Sequence, residues 1–262
     1  MTLAMFSLSV NDMTYKNLTM NFPVWEAVFF RALSGSIISL FMVYRTGIGS
    51  IKTQKPVRHF VRAFSAVGCV VLYIFGIKYL QLSENIAIAH SAPIIAAILA
   101  VPILGEKIGI HRVAAIVIGF IGVLIIVKPG TDLFQLKSLL PIGSALFMAS
   151  VYLSTRSLMN TESSTSIVFY YSFALLFTSI IFFPSDFIIP DIFNLTLALS
   201  LGIMGSLGHY FMSQAAKNAD VAVTSPFEYT SFVFVGVMGY MFFNEIPSNS
   251  VVLGGILIII SG

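Results

Sequence analysis

Long apolar runs, separated by only a few polar residues, recur along nearly the whole chain, and no other feature constrains its fold as much. A helix needs roughly 20 residues to cross a bilayer, so a chain of this length holds about ten crossings. Only 10% of the residues are charged. An ordinary soluble domain carries about 25%, so a normal water-facing surface cannot be built. The expected class is an all-α membrane protein with spans at 2–18, 23–44, 58–79, 84–104, 110–128, 135–156, 164–183, 192–216, 220–243 and 248–262. Segments such as "RTGIGSIKTQKPVR", "KPGTD" and "KNAD" read as loops. The opening "LAMFSLSV" lacks a basic leader and a small-residue cleavage site, so it is taken as the first span. Both it and the final "VVLGGILIIISG" are short for full crossings, as if clipped.

The net charge of +3 is better explained by loop cations than by a nucleic-acid partner. With the N-terminus inside, cytoplasmic flanks hold Arg45, Lys52, Lys55, Arg58, Arg62, Lys107, Arg112, Arg156 and Lys217. The opposite side holds Lys16, Lys78, Lys128 and Lys137. This bias predicts that both termini are cytoplasmic. Cys69 is alone, so neither a disulfide framework nor a cysteine metal set follows.

An internal repeat is visible. "GIKYLQLSENIAIAHSAPIIAAILAVPILGEKIGIHRVAAIVIGFIGVLII" parallels "SQAAKNADVAVTSPFEYTSFVFVGVMGYMFFNEIPSNSVVLGGILIII". Each has a span with an interior proline (Pro93, Pro226), then a glutamate (Glu106, Glu245), then a glycine-bearing helix. Five spans per half is an odd number, so the halves run in opposite senses. Interrupted spans in matching places of inverted repeats point to a transporter's binding site.

Ionisable groups inside a bilayer are costly and usually face the bundle interior, so they are the informative set. Thr224, Glu228 and Ser231 lie at i−4, i and i+3 and share one face, with Pro226 freeing a backbone carbonyl nearby. That is either a cavity wall or a packing kink with a structural glutamate. His90 precedes Pro93 and shares a face with Ser83, Ala87, Ser91 and Ile94; it either contacts cargo or protons, or is a neutral structural histidine. No metal site follows, since His90 and His209 lack a third ligand at useful spacing. Asn11 and Asp12 lie in the first span, where Asp12 either pairs with Lys16 one turn later or offers its charge to a cationic cargo. Arg31, roughly 12 Å into the second span, needs a partner: Glu228, Asp12 or a cargo carboxylate. Glu26 points elsewhere and is expected to be solvated. Gly202, Gly205, Ser206, His209 and Ser213 form a stripe suited to close helix packing. The "FYYSF" run at 169–173 is expected to face lipid or the interface, while Tyr229 and Trp25 are the aromatic choices for stacking on cargo. Glu106 and Glu245, at span ends, are left out of the cargo site.

No GxSxG, HExxH or GxxxxGK[ST] motif is present, so the chain is expected not to be an enzyme and to be driven by a gradient or exchange.

The two five-span halves, "PVWEAVFFRALSG", "GEK", "HRVAAIVIGFIGVLIIVKPG" and "SPFEYTSFVFVGVMGYMFFNEIP" resemble the EamA-type branch of the drug/metabolite transporter superfamily, nearest to the S-adenosylmethionine uptake carriers of intracellular bacteria. The resemblance spans essentially the whole chain. It implies two repeats, 1–130 and 131–262, and a secondary carrier in the bacterial inner membrane. It further implies a monomer or homodimer without cofactor that moves a small polar metabolite by alternating access. With S-adenosylmethionine as cargo, the sulfonium and ammonium would suit Asp12 and Glu228, the carboxylate Arg31, and the adenine an aromatic wall. An amino-acid or other metabolite exporter, or a flippase for a lipid-linked head group, is the alternative.

Overall fold

The computed structural model describes residues 1–104, 110–128, 135–158, 162–185, 187–218, 227 and 230–261. These form α1 (Thr2–Asn21), α2 (Val24–Thr46), α3 (Pro56–Tyr79), α4 (Leu82–Ala89), α5 (Ala92–Leu104), α6 (Ile110–Val127), α7 (Leu139–Leu158), α8 (Ser164–Ile181), α9 (Ile192–Asn218), α10 (Thr230–Phe243) and α11 (Asn249–Ser261). No strand occurs among the described residues. An unsatisfied backbone group costs several kcal/mol in hydrocarbon, and a helix closes all of its bonds within one segment. Helices α2, α3 and the segment Leu136–Thr155 are long and apolar enough to cross a membrane by length and composition alone, and five shorter apolar helices accompany them. Helix α1 is different. It buries Ser7, Ser9, Asn11, Thr14, Lys16 and Thr19, a load only an interior helix can carry.

Helices α4 and α5 are two pieces of one span, joined at His90 and Ser91. Pro93, the second residue of α5, has no N–H to return to the carbonyl of Ala89. The ladder adapts by one tightened step: the Ser91 N–H reaches Ile88 O at 3.0 Å, and the Ile95 N–H resumes at Ser91 O at 3.1 Å. The first part of the ninth span, with Thr224, Pro226, Glu228 and Tyr229, lies outside the described residues, as does the 130/131 boundary between halves.

The packing order carries the inverted symmetry. Helix α1 packs on α9 and α3 on α7; α2 meets α8, α6 meets α11, and α4 meets α10. Exchange the halves (α1 with α7, α2 with α8, α3 with α9, α4–α5 with the ninth span, α6 with α11) and each pairing maps onto itself or onto another. The chain is an all-α membrane protein of ten spans in two inverted five-helix repeats. Helices α6 and α11 touch backbone to backbone: a Cβ on Gly122 would meet the carbonyl of Gly254, and one on Gly254 the carbonyl of Gly122.

Candidate functional site

Residues of both charges lie where α1, α2 and α3 come together, with α9 packed against α1 and α2. On α1, Ser7 and Thr14 return their hydroxyls to Leu3 O and Val10 O, which silences them locally. Asn11 and Asp12 reach outward instead. Asn11 Nδ2 donates to Leu201 O on α9 at 2.6 Å, and its Oδ1 accepts from Arg31 Nη1 at 3.3 Å. Asp12 Oδ2 accepts from the Tyr73 hydroxyl at 2.8 Å. Tyr15 and Tyr171 flank the guanidinium, with Arg31 Cζ 5.6 Å from the Tyr15 ring centroid. Gly205 of α9 leaves room here, since a Cβ on it would lie 3.7 Å from Asn11 Nδ2 and 3.9 Å from Arg31 Nη1.

Among the described residues no carboxylate lies within ion-pair distance of Arg31, although Asp12 is near enough for the two charges to interact. Asp12, Arg31, Tyr73 and Tyr171 all remain partly exposed although they sit well inside their helices, so water-sized spaces reach them. This shell can hold a cation at Asp12 and an anion at Arg31, with tyrosine rings and hydroxyls between. His90 lies to one side, its Nε2 3.0 Å from Ser231 Oγ and its ring 5.0 Å from that of Phe232.

Several expectations need correction. Lys16 does not pair with Asp12. It bonds the Glu245 carboxylate and donates to Leu80 O at 2.7 Å, because the folded chain brings a distant residue closer than the helix neighbour. Glu245 lies just past the end of α10, where its other oxygen accepts the Leu82 N–H of α4 at 2.9 Å. Glu26 is not solvated but 1% exposed, accepting the Ile188 N–H at 3.3 Å, since the chain after α8 folds over it. Nor is the 169–173 run wholly outward. Tyr171 turns to Arg31, and the Tyr170 hydroxyl donates to Ile51 O at 3.0 Å. Trp25 stacks on Phe182 at 4.8 Å and sits edge-on to Phe75, a packing role.

At the opposite end His59 Nε2 lies 3.2 Å from Glu162 Oε2. Glu162 also accepts from Thr53 Oγ1 at 3.0 Å and the Gln54 N–H at 3.1 Å. Burial opposes its charge, but the bonds from His59, Gln54 and Thr53 outweigh that and hold this carboxyl below the usual range. Tyr15, Tyr73 and Tyr171 were missed by sequence reasoning. Tyr15 could have been found, because it lies four residues after Asn11 and so shares its helix face.

Two successive matches to the EamA-like transporter family cover residues 1–128 and 136–261. The S-adenosylmethionine uptake transporter of Rickettsia prowazekii is 30% identical over 98% of this chain and 87% of its own. A riboflavin transporter of Rhizobium johnstonii is 30% identical over 99% of this chain and 87% of its own. The pseudopaline exporter of Pseudomonas aeruginosa is 26% identical over 99% and 92%. One solved crystal structure superposes at a TM-score of 0.66 with 16% identity, covering 99% of this chain and 94% of that one, which shows a shared fold.

Proposed function

The chain belongs to the EamA-like transporter family, and from that premise we propose that it takes up a small zwitterionic metabolite, specifically S-adenosylmethionine, by alternating access in the bacterial inner membrane. One observation carries the reading: Asp12 and Arg31, opposite in sign and both partly accessible, share one tyrosine-lined shell deep in the bundle. The sulfonium and ammonium of the cargo go to Asp12, with Glu228 as a second carboxylate from the ninth span, and the cargo carboxylate goes to Arg31. Asn11, His90, Thr224 and Tyr229 complete the wall, with Pro93 and Pro226 breaking the two matching spans. The similarity to the Rickettsia transporters favours this cargo. Export of an amino-acid-type metabolite is the second reading, favoured by the similarity to the pseudopaline exporter.

The two halves, 1–130 and 131–262, rock about the shared shell, with both termini cytoplasmic as the loop cations favour. A gradient or exchange drives the cycle. In proteoliposomes, Arg31→Ala and Glu228→Gln proteins, folded and present at wild-type levels, should lose uptake of labelled S-adenosylmethionine by about ten- to a hundredfold, the scale of one lost charged hydrogen bond. Unchanged uptake in both removes the site assignment. A thermal-shift screen of S-adenosylmethionine against amino acids, nucleotides and riboflavin tests the cargo alone, and equal responses discard it.

A further inference from the structure

A second polar centre lies beyond the shell along α1, at the end of the bundle where the chain leaves α3 and α10. Here a cavity of about 640 Å³ opens, lined by Lys16, Asn17, Lys78, Gln81, Asn244 and Glu245 among others. Two of its lining residues, Lys16 and Glu245, form an ion pair fastened on both sides to backbone: Lys16 Nζ to Leu80 O at 2.7 Å, and Glu245 to the Leu82 N–H at 2.9 Å. Lys16 belongs to the first half and Glu245 to the second, so the pair ties the two halves together across this end. Lys16 is one helical turn from Asp12, so the pair sits next to the central shell along α1.

Removing one partner of a largely buried ion pair strands the other, which is strongly disfavoured. The end can therefore open readily only if each charge receives a replacement at the moment of separation. We infer that this cavity is a second binding subsite for an α-amino-acid head, whose carboxylate takes Lys16 and whose ammonium takes Glu245, so that the ligand itself unfastens the pair. Lys78 adds a second cation to the cavity and favours the carboxylate as the leading group. The aliphatic part of the ligand has Tyr79 and Phe243 to lie against. A ligand without the head lacks the two charges and cannot exchange with the pair. The inference rests on the amino-acid-head chemistry proposed for the cargo, but not on S-adenosylmethionine in particular.

Ser83 is buried one residue past Leu82, whose N–H bonds Glu245, and supplies the reporter position. The full-length Ser83→Cys protein, in nanodiscs of phosphatidylcholine, is treated with a membrane-impermeant thiol reagent. Methionine and S-adenosylmethionine should each speed labelling by about tenfold, as expected for a ligand that shifts a closed–open population, whereas adenosine should not. The Lys16→Gln/Glu245→Gln double variant, which removes both charges and strands neither, should label fast without ligand and gain nothing from it. Labelling that responds to neither head-bearing compound overturns the subsite, as does adenosine acting alone. A double variant that labels as slowly as its parent overturns the fastening role. If phosphatidylserine in the disc speeds labelling with no soluble compound added, the head belongs to a lipid and the soluble-ligand assignment falls. Loss of the cargo proposal reads differently: binding insensitive to Arg31→Ala, with the methionine effect on labelling intact.

Discussion

Two seams occupy the same place in the two halves yet are built from different chemistry. On α3 and α7 the contact is a polar ladder. Arg62 Nε donates to Thr155 Oγ1 at 2.9 Å, Ser65 and Ser150 share a hydroxyl bond at 2.9 Å, and Ser144 Oγ donates to Cys69 O at 2.9 Å. Its counterpart, where α9 meets α1 and α2, relies on glycine. Gly202 sits against Ser34 and the Gly35 backbone, Gly205 against Asn11 and Arg31, and Gly208 against Leu8 and the Ala4 carbonyl. Fold symmetry sets which helices touch, while the local task sets the residues. The ladder joins the halves through side-chain hydroxyls, one of them bonding a backbone carbonyl. The glycine seam also has to bring a helix backbone up to Asn11 of α1 and Arg31 of α2, and the loss of side chains permits that approach.

This contrast can be broken at its tightest point. A methyl group at Gly202 meets the short Ser34 side chain and the backbone of Gly35, neither of which can swing away. Gly202→Ala should cost about 2 kcal/mol, in the range of an overpacked core, read as a lower melting temperature in detergent. The ladder should be softer. Ser65→Ala and Ser150→Ala, taken singly and together, should show a coupling of about 0.6 kcal/mol, the usual size for a hydrogen bond between membrane helices. A coupling near zero would reduce the ladder to incidental contacts. The smallest effect should come from Gly143→Ala on α7, whose neighbour is the flexible tip of Leu72. A change below about 0.5 kcal/mol is expected, and a loss as large as that at Gly202 would erase the distinction between the seams.

Composition and run length were enough to read ten helical crossings, because lipid leaves the backbone few alternatives. The polar residues of α1 and α2 were legible for the same reason: Asn11, Asp12 and Arg31 stand out against an apolar background. Partners were not. Helical spacing offered Lys16 to Asp12 as one of two readings, yet Lys16 found Glu245 at the far end of the chain, a proximity that only the packed halves create. Glu26 escaped for a similar reason, since the segment that covers it follows a different helix. Tyr171 was hidden in an aromatic run whose composition suits lipid equally well, and only the packing of α8 on α2 turns that ring toward Arg31.

The mutual approach of Gly122 and Gly254 bears on how the halves can move. With no side chain between them, sliding α6 along α11 by even one residue would drive bulky neighbours such as Ile126 and Ile258 into a backbone groove. The two glycines thus hold α6 and α11 at backbone contact, a closeness that the rocking proposed above would have to preserve.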